Sequence, residues 1–237
     1  MSGIDTAVIL AAGKGSRLYA REPYKPLCAV GGKPLVDRAI EGLAAAGIGR
    51  AIVVTGYGAD KVEAHLGARA WPAEVSVTRT PDWHLPNGVS ALAAAPLLGG
   101  RPALLVMCDH LVDPRLYERV RTEGDRGGLI LGIDRRLGHP WVDLADVTCV
   151  RTEGTKIVAI GKGLEPYDAY DTGVFAVGAR FFAALAELEA PSLTDAVCVL
   201  AGEGCAETVD CSDLDWIDVD DPAALAKAEQ AVRGGRF

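Results

Sequence analysis

The chain reads as an α/β fold with a mixed, mainly parallel sheet covered on both faces, and three observations predict it. Short apolar runs rich in β-branched residues, such as VILA at 8–11 and AIVVT at 51–55, alternate with stretches of helical periodicity. Those strands are apolar throughout rather than alternating, as strands buried on both faces are. In the second half of the chain four strand candidates crowd together, too close for helical crossovers, so antiparallel pairing enters the sheet. The 237 residues, 49% of them hydrophobic, suffice for one sizeable core. With no linker, repeat or low-complexity run, residues 1–237 are expected to form a single domain.

Val8 to Ala11 is the first strand. Leu35, Ala39, Ile40 and Leu43 recur at helical spacing, and Gly47 is placed to end that helix. Ala51 to Thr55 is the second strand, 60–67 a short helix, Val75 to Thr78 the third strand and 88–95 another helix. ALLVMCDHL, at 103–111, reads as one continuous buried strand carrying Asp109 at its end. Further strands are expected at 128–133, 146–151, 156–160 and 172–177. Ser192 to Asp195 spells a capping box, and Asp221 followed by Pro222 is an N-cap with proline in the first helical position.

Formal net charge is −8, which argues against nucleic acid or an anionic membrane surface as the main partner. No apolar stretch reaches the roughly 18 residues of a membrane helix, and no basic region precedes the first apolar run, so a cytoplasmic location is expected. Six cysteines, at 28, 108, 149, 198, 205 and 211, include no Cys-x-x-Cys pair, and neither disulfides nor a zinc site are expected.

The segment VILAAGKGSRLYAREPYKPL poses the functional question. It fails as a dinucleotide fingerprint because Leu18 stands at the third glycine position and the next helix begins only near Pro34. It fails as a P-loop because Gly15 follows Lys14 where serine or threonine is required. What remains is a strand entering a glycine turn whose N–H groups can approach a polyphosphate, with Lys14 and Arg17 adding charge. A surface loop of solvated cations is the plainer alternative. Lys25 is framed by Pro23 and Pro26. Open α/β sheets place ligands beyond the carboxyl ends of their strands, which singles out Asp109, and Asp171 opens another apolar strand. Either aspartate alone is also an ordinary strand-end or turn residue. Asn87 and Ser90 lie at a helix entry where an amide can meet a nucleobase edge, or where asparagine simply caps. Tyr57 either borders that pocket or packs.

LAAGKGSRL, then KPL, then VGGKPL resembles the signature of the nucleotidyltransferases that join a nucleoside triphosphate to a sugar 1-phosphate or phospho-alcohol. The resemblance implies a Rossmann-like three-layer α/β/α nucleotidyltransferase fold. It also implies that Gly13 and Gly15 wrap the triphosphate; Leu10, Ala11, Ala12 and Asp109, with Asn87 and Ser90 at the helix entry, complete the expected nucleotide-binding set. Arg17 would hold the triphosphate, Lys25 the reacting phosphates and Lys162 the acceptor phosphate, with Mg²⁺ shared by Asp109 and Asp171. Tyr24 replaces the proline usual before the lysine, which leaves the lysine in place. MCDHLVDPRL, DVTCV, IVAIGKGL, YDTGVFAV, SLTDAV and WIDVDDP together are similar to CTP:inositol-1-phosphate cytidylyltransferases over residues 5–230.

The implied reaction joins CTP and inositol 1-phosphate into CDP-inositol and pyrophosphate. A separate downstream phosphotransferase would consume the product. Choline phosphate, a phosphonate or another cyclitol phosphate is the alternative acceptor. Two other classes are less well served. A catalytically silent nucleotide-binding domain predicts loss of the carboxylates or the cationic loop, and both are present. A retaining sugar transferase wants Asp-x-Asp, whereas Asp109 is followed by His110 and Leu111.

Overall fold

The computed structural model describes residues 3–237. In order these form β1 (Thr6–Ala11), two 3-10 turns (Ser16–Leu18 and Lys25–Leu27), the two-residue strands β2 (Ala29–Val30) and β3 (Lys33–Pro34), α1 (Leu35–Ala45), β4 (Arg50–Thr55), α2 (Ala59–Gly67), β5 (Glu74–Arg79) and α3 (Asn87–Leu98). There follow β6 (Ala103–Met107), β7 (His110–Val112), α4 (Pro114–Glu123), β8 (Leu129–Asp134), β9 (Thr148–Glu153), β10 (Lys156–Lys162), β11 (Ala169–Val177), α5 (Ala179–Ala186), α6 (Leu193–Gly202), β12 (Ala206–Asp210), β13 (Trp216–Asp218) and α7 (Pro222–Arg233).

Nine strands form one sheet in the order β5-β4-β1-β6-β11-β8-β12-β10-β9. Its first four strands are mutually parallel, β11 runs antiparallel between β6 and β8, and β12 returns parallel to β8. The sheet is mixed, as expected, and the α/β class holds. Side chains of β1 show why it has three layers. Ala7, Ile9 and Ala11 enter one apolar core with Ile40, Leu43 and Tyr117 of α1 and α4, while Val8 and Leu10 enter a second with Phe181 and Leu193. The two-residue alternation of a strand thus feeds two helical layers.

The caps stand where the sequence put them. Ser192 Oγ accepts from the Asp195 N–H at 3.1 Å while Asp195 Oδ2 accepts from the Ser192 N–H at 2.8 Å. Asp221 accepts from the Ala224 N–H at 2.7 Å, with Pro222 opening α7.

One expectation needs correcting in a way that matters for the site. ALLVMCDHL is not one strand: β6 ends at Met107, Asp109 lies in a turn, and β7 leaves the sheet to pair antiparallel with β13. Leu111 and Val112 are themselves buried in the first core, so hydropathy alone carries no mark of the departure. Helices α4 and α5 and strands β12 and β13 were not anticipated. Among the described residues no helix is long and apolar enough to cross a membrane.

Candidate active site

The glycine loop is shaped by a lysine that arrives from outside it. Gly15 adopts a left-handed conformation at φ +59°, and a Cβ there would lie 2.4 Å from Lys25 Cβ. Glycine therefore makes room for the aliphatic stem of Lys25 as well as for the turn. That side chain is only 7% exposed and delivers its ammonium to Asp109 Oδ2, at 2.5 Å, and to Asp220 Oδ1. Burial alone would push the ammonium down, but Asp109, Asp218 and Asp220 outweigh it and raise its pKa. Arg17 pairs with Asp146 at 2.8 Å and with Asp220, and Lys162 pairs with the other oxygen of Asp146. Two cations of the loop after β1 and Lys162 of β10 thus alternate with Asp109, Asp220 and Asp146. Hydrogen bonds from Arg17 and Lys162 hold the Asp146 carboxyl down at about 2.

Asp109 is fixed by the turn between β6 and β7. The Cys108 N–H continues the sheet onto Leu10 O at 3.1 Å, and Asp109 O accepts from the Val219 N–H at 3.0 Å. Next to it, His110 Nδ1 donates to Thr172 O at 2.9 Å, its ring stacks on Trp216 at 6.0 Å, and its Nε2 lies 3.7 Å from Asp218 Oδ2. The Trp216 indole N–H is in turn taken by the fully buried Asp134 at 2.9 Å. Burial pushes Asp171 up to about 6, against the Gly173 N–H and His110. Asp218 is also raised, first by burial, with Asp109 adding repulsion.

Asp109, His110 and Asp218 bring ligand atoms within 4.8 Å of one another. Asp218 Oδ1 is buried without a hydrogen-bond partner. The set is two carboxylates and one imidazole; its two carboxylates, one with an unsatisfied oxygen, suit a hard divalent cation. The expected partner of Asp109 was Asp171. It reaches the same cavity from β11, the strand that pairs antiparallel with β6.

Two cavities meet at Asp109 and Asp220. The smaller, about 220 Å³, is lined by Leu10, Ala11, Gly13, Gly15 and Lys25, all five expected from the sequence. The larger, about 520 Å³, is lined by Arg17, Lys162, Asp171, Asp218 and the segment from Trp141 to Thr148. Ala12 lines neither; its carbonyl accepts from the Tyr57 N–H at 2.8 Å and docks the loop on the turn after β4. Asn87 borders the larger cavity, but its Oδ1 accepts from the Leu193 N–H at 2.9 Å, tying α3 to α6. Ser90 is buried and lines neither cavity, since the helix begins at Asn87 and turns Ser90 inward. Tyr57 packs on Trp83 and Tyr24, and the Lys14 ammonium lies 5.5 Å from the rings of Tyr19 and Tyr57.

Sequence reasoning missed Asp146, His110, Asp218 and Asp220. The signal for the last two was WIDVDDP, in which a two-residue acidic alternation precedes the α7 cap.

Comparison with known proteins follows the same lines. Residues 7–159 match the MobA-like NTP transferase domain. The bifunctional IPC transferase and DIPP synthase of Rubrobacter xylanophilus is 36% identical over 234 residues, covering 96% of this chain and 52% of that protein. The protein of the same description from Aquifex aeolicus is 33% identical over 230 residues, covering 96% and 51%. The chain spans about half the length of these curated relatives. Among solved structures, the inositol-1-phosphate CTP transferase from T. maritima superposes with a TM-score of 0.84 at 23% identity, covering 100% of this chain and 99% of the other. A UDP-glucose pyrophosphorylase complexed with UDP-glucose superposes with a TM-score of 0.82 at 18% identity, covering 98% and 100%. At such identities the likeness establishes the fold.

Proposed function

The chain belongs to the MobA-like NTP transferase domain family, and from that premise we propose that it transfers a cytidylyl group from CTP to inositol 1-phosphate, releasing pyrophosphate. The observation that carries this reading is the junction of two cavities at a buried lysine and a carboxylate group. A glycine-lined cavity holds Lys25 on one side, and a larger one holds Lys162 on the other. The choice of CTP and of inositol 1-phosphate is supported by what the relatives and the T. maritima protein are called.

Transfer of this kind requires positioning and charge stabilisation more than a side-chain nucleophile. The N–H groups around Gly13 and Gly15 and the Arg17 guanidinium bind the triphosphate tail. Lys25 neutralises charge where the two substrates meet. Lys162 brings in the acceptor phosphate, whose oxygen attacks the α-phosphorus in line; the new P–O bond forms as the bond to the β-phosphate breaks and pyrophosphate leaves. Asp109 and Asp218 would hold Mg²⁺, which supplies further neutralisation of the phosphates. In the relatives a DIPP synthase accompanies the transferase; here a phosphotransferase is the proposed consumer of the activated alcohol.

The test is pyrophosphate release with each of four ribonucleoside triphosphates against inositol 1-phosphate, glucose 1-phosphate, choline phosphate and a phosphonate. CTP with inositol 1-phosphate should give the highest kcat/KM. Preference for another pair would replace this reading.

A further inference from the structure

We propose that Arg236 and Phe237 are positioning residues for the acceptor: they clamp Trp141 and so hold in place the segment that walls the larger cavity and carries Asp146. This rests on the transferase reading above and deepens it by naming what keeps the acceptor side of the site assembled.

The segment needs a clamp because its own main chain does not fasten it. Every residue from Trp141 to Thr148 except Ala145 lines the larger cavity. Yet among the described residues the main-chain hydrogen bonds of 139–147 stay local: the His139 N–H donates to Arg136 O, the Val142 N–H to His139 O, and the Asp146 and Val147 N–H groups to Asp143 O. Pairing with the sheet begins only at Thr148, where β9 starts.

Side chains fasten the segment at both ends. At one end Asp146 takes Arg17 and Lys162. At the other, the Trp141 ring lies 6.0 Å from that of Phe237, and the Arg236 guanidinium lies over it, 5.3 Å from its centroid. His139 packs edge-on to the same indole at 5.2 Å, and Lys227 of α7 donates to Pro140 O at 2.8 Å. Arg236 is fixed in turn by Asp215 Oδ2 at 2.6 Å, while the other oxygen of Asp215 lies 3.4 Å from Arg136. Asp215 stands directly before β13, and its carbonyl accepts from the Asp113 N–H just after β7. The clamp is therefore anchored to the ribbon that carries Asp218.

The end of α7 is shaped to deliver it. The Gly235 N–H donates to Val232 O at 3.0 Å and the Arg236 N–H to Ala231 O at 3.1 Å, the paired bonds of a helix end closed by a left-handed residue. Gly235 supplies that conformation at φ +79°, with open space where a Cβ would stand. The chain leaves the helix axis there, and the next two residues meet Trp141.

A binding wall that is ordered only part of the time weakens apparent affinity in proportion to the time it is absent. The clamp therefore acts on KM for the acceptor. Turnover rests on Lys25, Asp109 and Asp218, which the segment does not carry. One cation over a ring and one aromatic pair together correspond to about 5- to 20-fold.

The experiment compares wild type with the double variant Arg236→Ala/Phe237→Ala, with Phe237→Tyr and with Gly235→Ala. Measured are kcat, KM for inositol 1-phosphate and for CTP, Mn²⁺ affinity by electron paramagnetic resonance, and acrylamide quenching of Trp141 fluorescence, taken as the difference from a Trp141→Phe counterpart. In the double variant acceptor KM should rise about 5- to 20-fold and Trp141 should become more accessible, with kcat, KM for CTP and Mn²⁺ affinity within about twofold of wild type. Phe237→Tyr keeps the ring and should match wild type. Gly235→Ala strains the turn without touching a contacting side chain and should move acceptor KM the same way by a smaller factor. Unchanged acceptor KM or unchanged quenching in the double variant would overturn the proposal, as would an equal rise in KM for both substrates. If wild type ignores inositol 1-phosphate but uses another phosphorylated acceptor, the substrate reading falls while this one stands, provided the double variant raises KM for that acceptor. If wild type uses no acceptor at all, both fall.

Discussion

Lys25 lies 2.5 Å from Asp109 although 84 residues separate them, and the stem that spans the gap passes through the space a side chain at position 15 would fill. Loop conformation and electrostatics are therefore one construction. Gly15→Ala should lower stability by about 1–2 kcal/mol through left-handed strain. It should also raise KM for CTP at least tenfold by displacing Lys25, read from steady-state kinetics beside a thermal melt.

Lys25→Met removes the cation between Asp109 and Asp220. Losing one partner of a buried pair typically costs about 3–5 kcal/mol, and losing a preorganised charge at the reacting phosphates about 100- to 1,000-fold in turnover. The variant should melt lower than wild type without divalent ions and recover part of the difference when Mg²⁺ is added. An identical melt in both conditions would contradict the geometry.

Asp109→Asn and Asp218→Asn should each weaken Mn²⁺ binding and raise the Mg²⁺ concentration needed for half-maximal turnover, and chelation by EDTA should stop pyrophosphate release. The spectroscopic titration decides this without reference to substrate.

Asp146 carries the pH dependence. Its folded-state pKa is depressed to about 2 by Arg17 and Lys162. The stabilisation it provides is therefore complete above the unfolded value near 3.9 and fades as pH falls toward 2. Wild type should melt above Asp146→Asn at pH 7, and the two curves should converge near pH 2. The gap is small because Arg17 is half-exposed and solvent screens the pair.

Behind the site, Asp134 is fully buried and takes hydrogen bonds from the Trp216 indole N–H and from Arg136. Asp134→Ala takes from Arg136 its bidentate partner, leaving it Leu214 O and Asp215, and frees the indole that supports His110, at a cost of about 1–3 kcal/mol. Urea unfolding would measure it.

Strand β1 and its glycine loop were legible because an apolar run meeting Gly-x-Gly has few other uses, and α7 because Asp-Pro is a local helix start. Less local features were hidden. Strand β13 is three residues long, below the reach of any periodicity, and it exists because β7 offers it a partner 106 residues earlier. The bulge at Asp171 depends on Gly132 and His110, neither a neighbour in sequence. Asn87 could be located at a helix entry, but the direction of its amide is set by α6.

Strands β7 and β13 form a ribbon apart from the nine-stranded sheet, with His110 opposite Asp218. The spacing of Asp109 and Asp218 is thereby set by main-chain hydrogen bonds, independently of the segment from Trp141 to Thr148 that lines the larger cavity. On the proposed function, such a frame separates reaction from repertoire: an ancestor could trade one phosphorylated alcohol for another by altering that segment, and the carboxylate pair would be inherited intact.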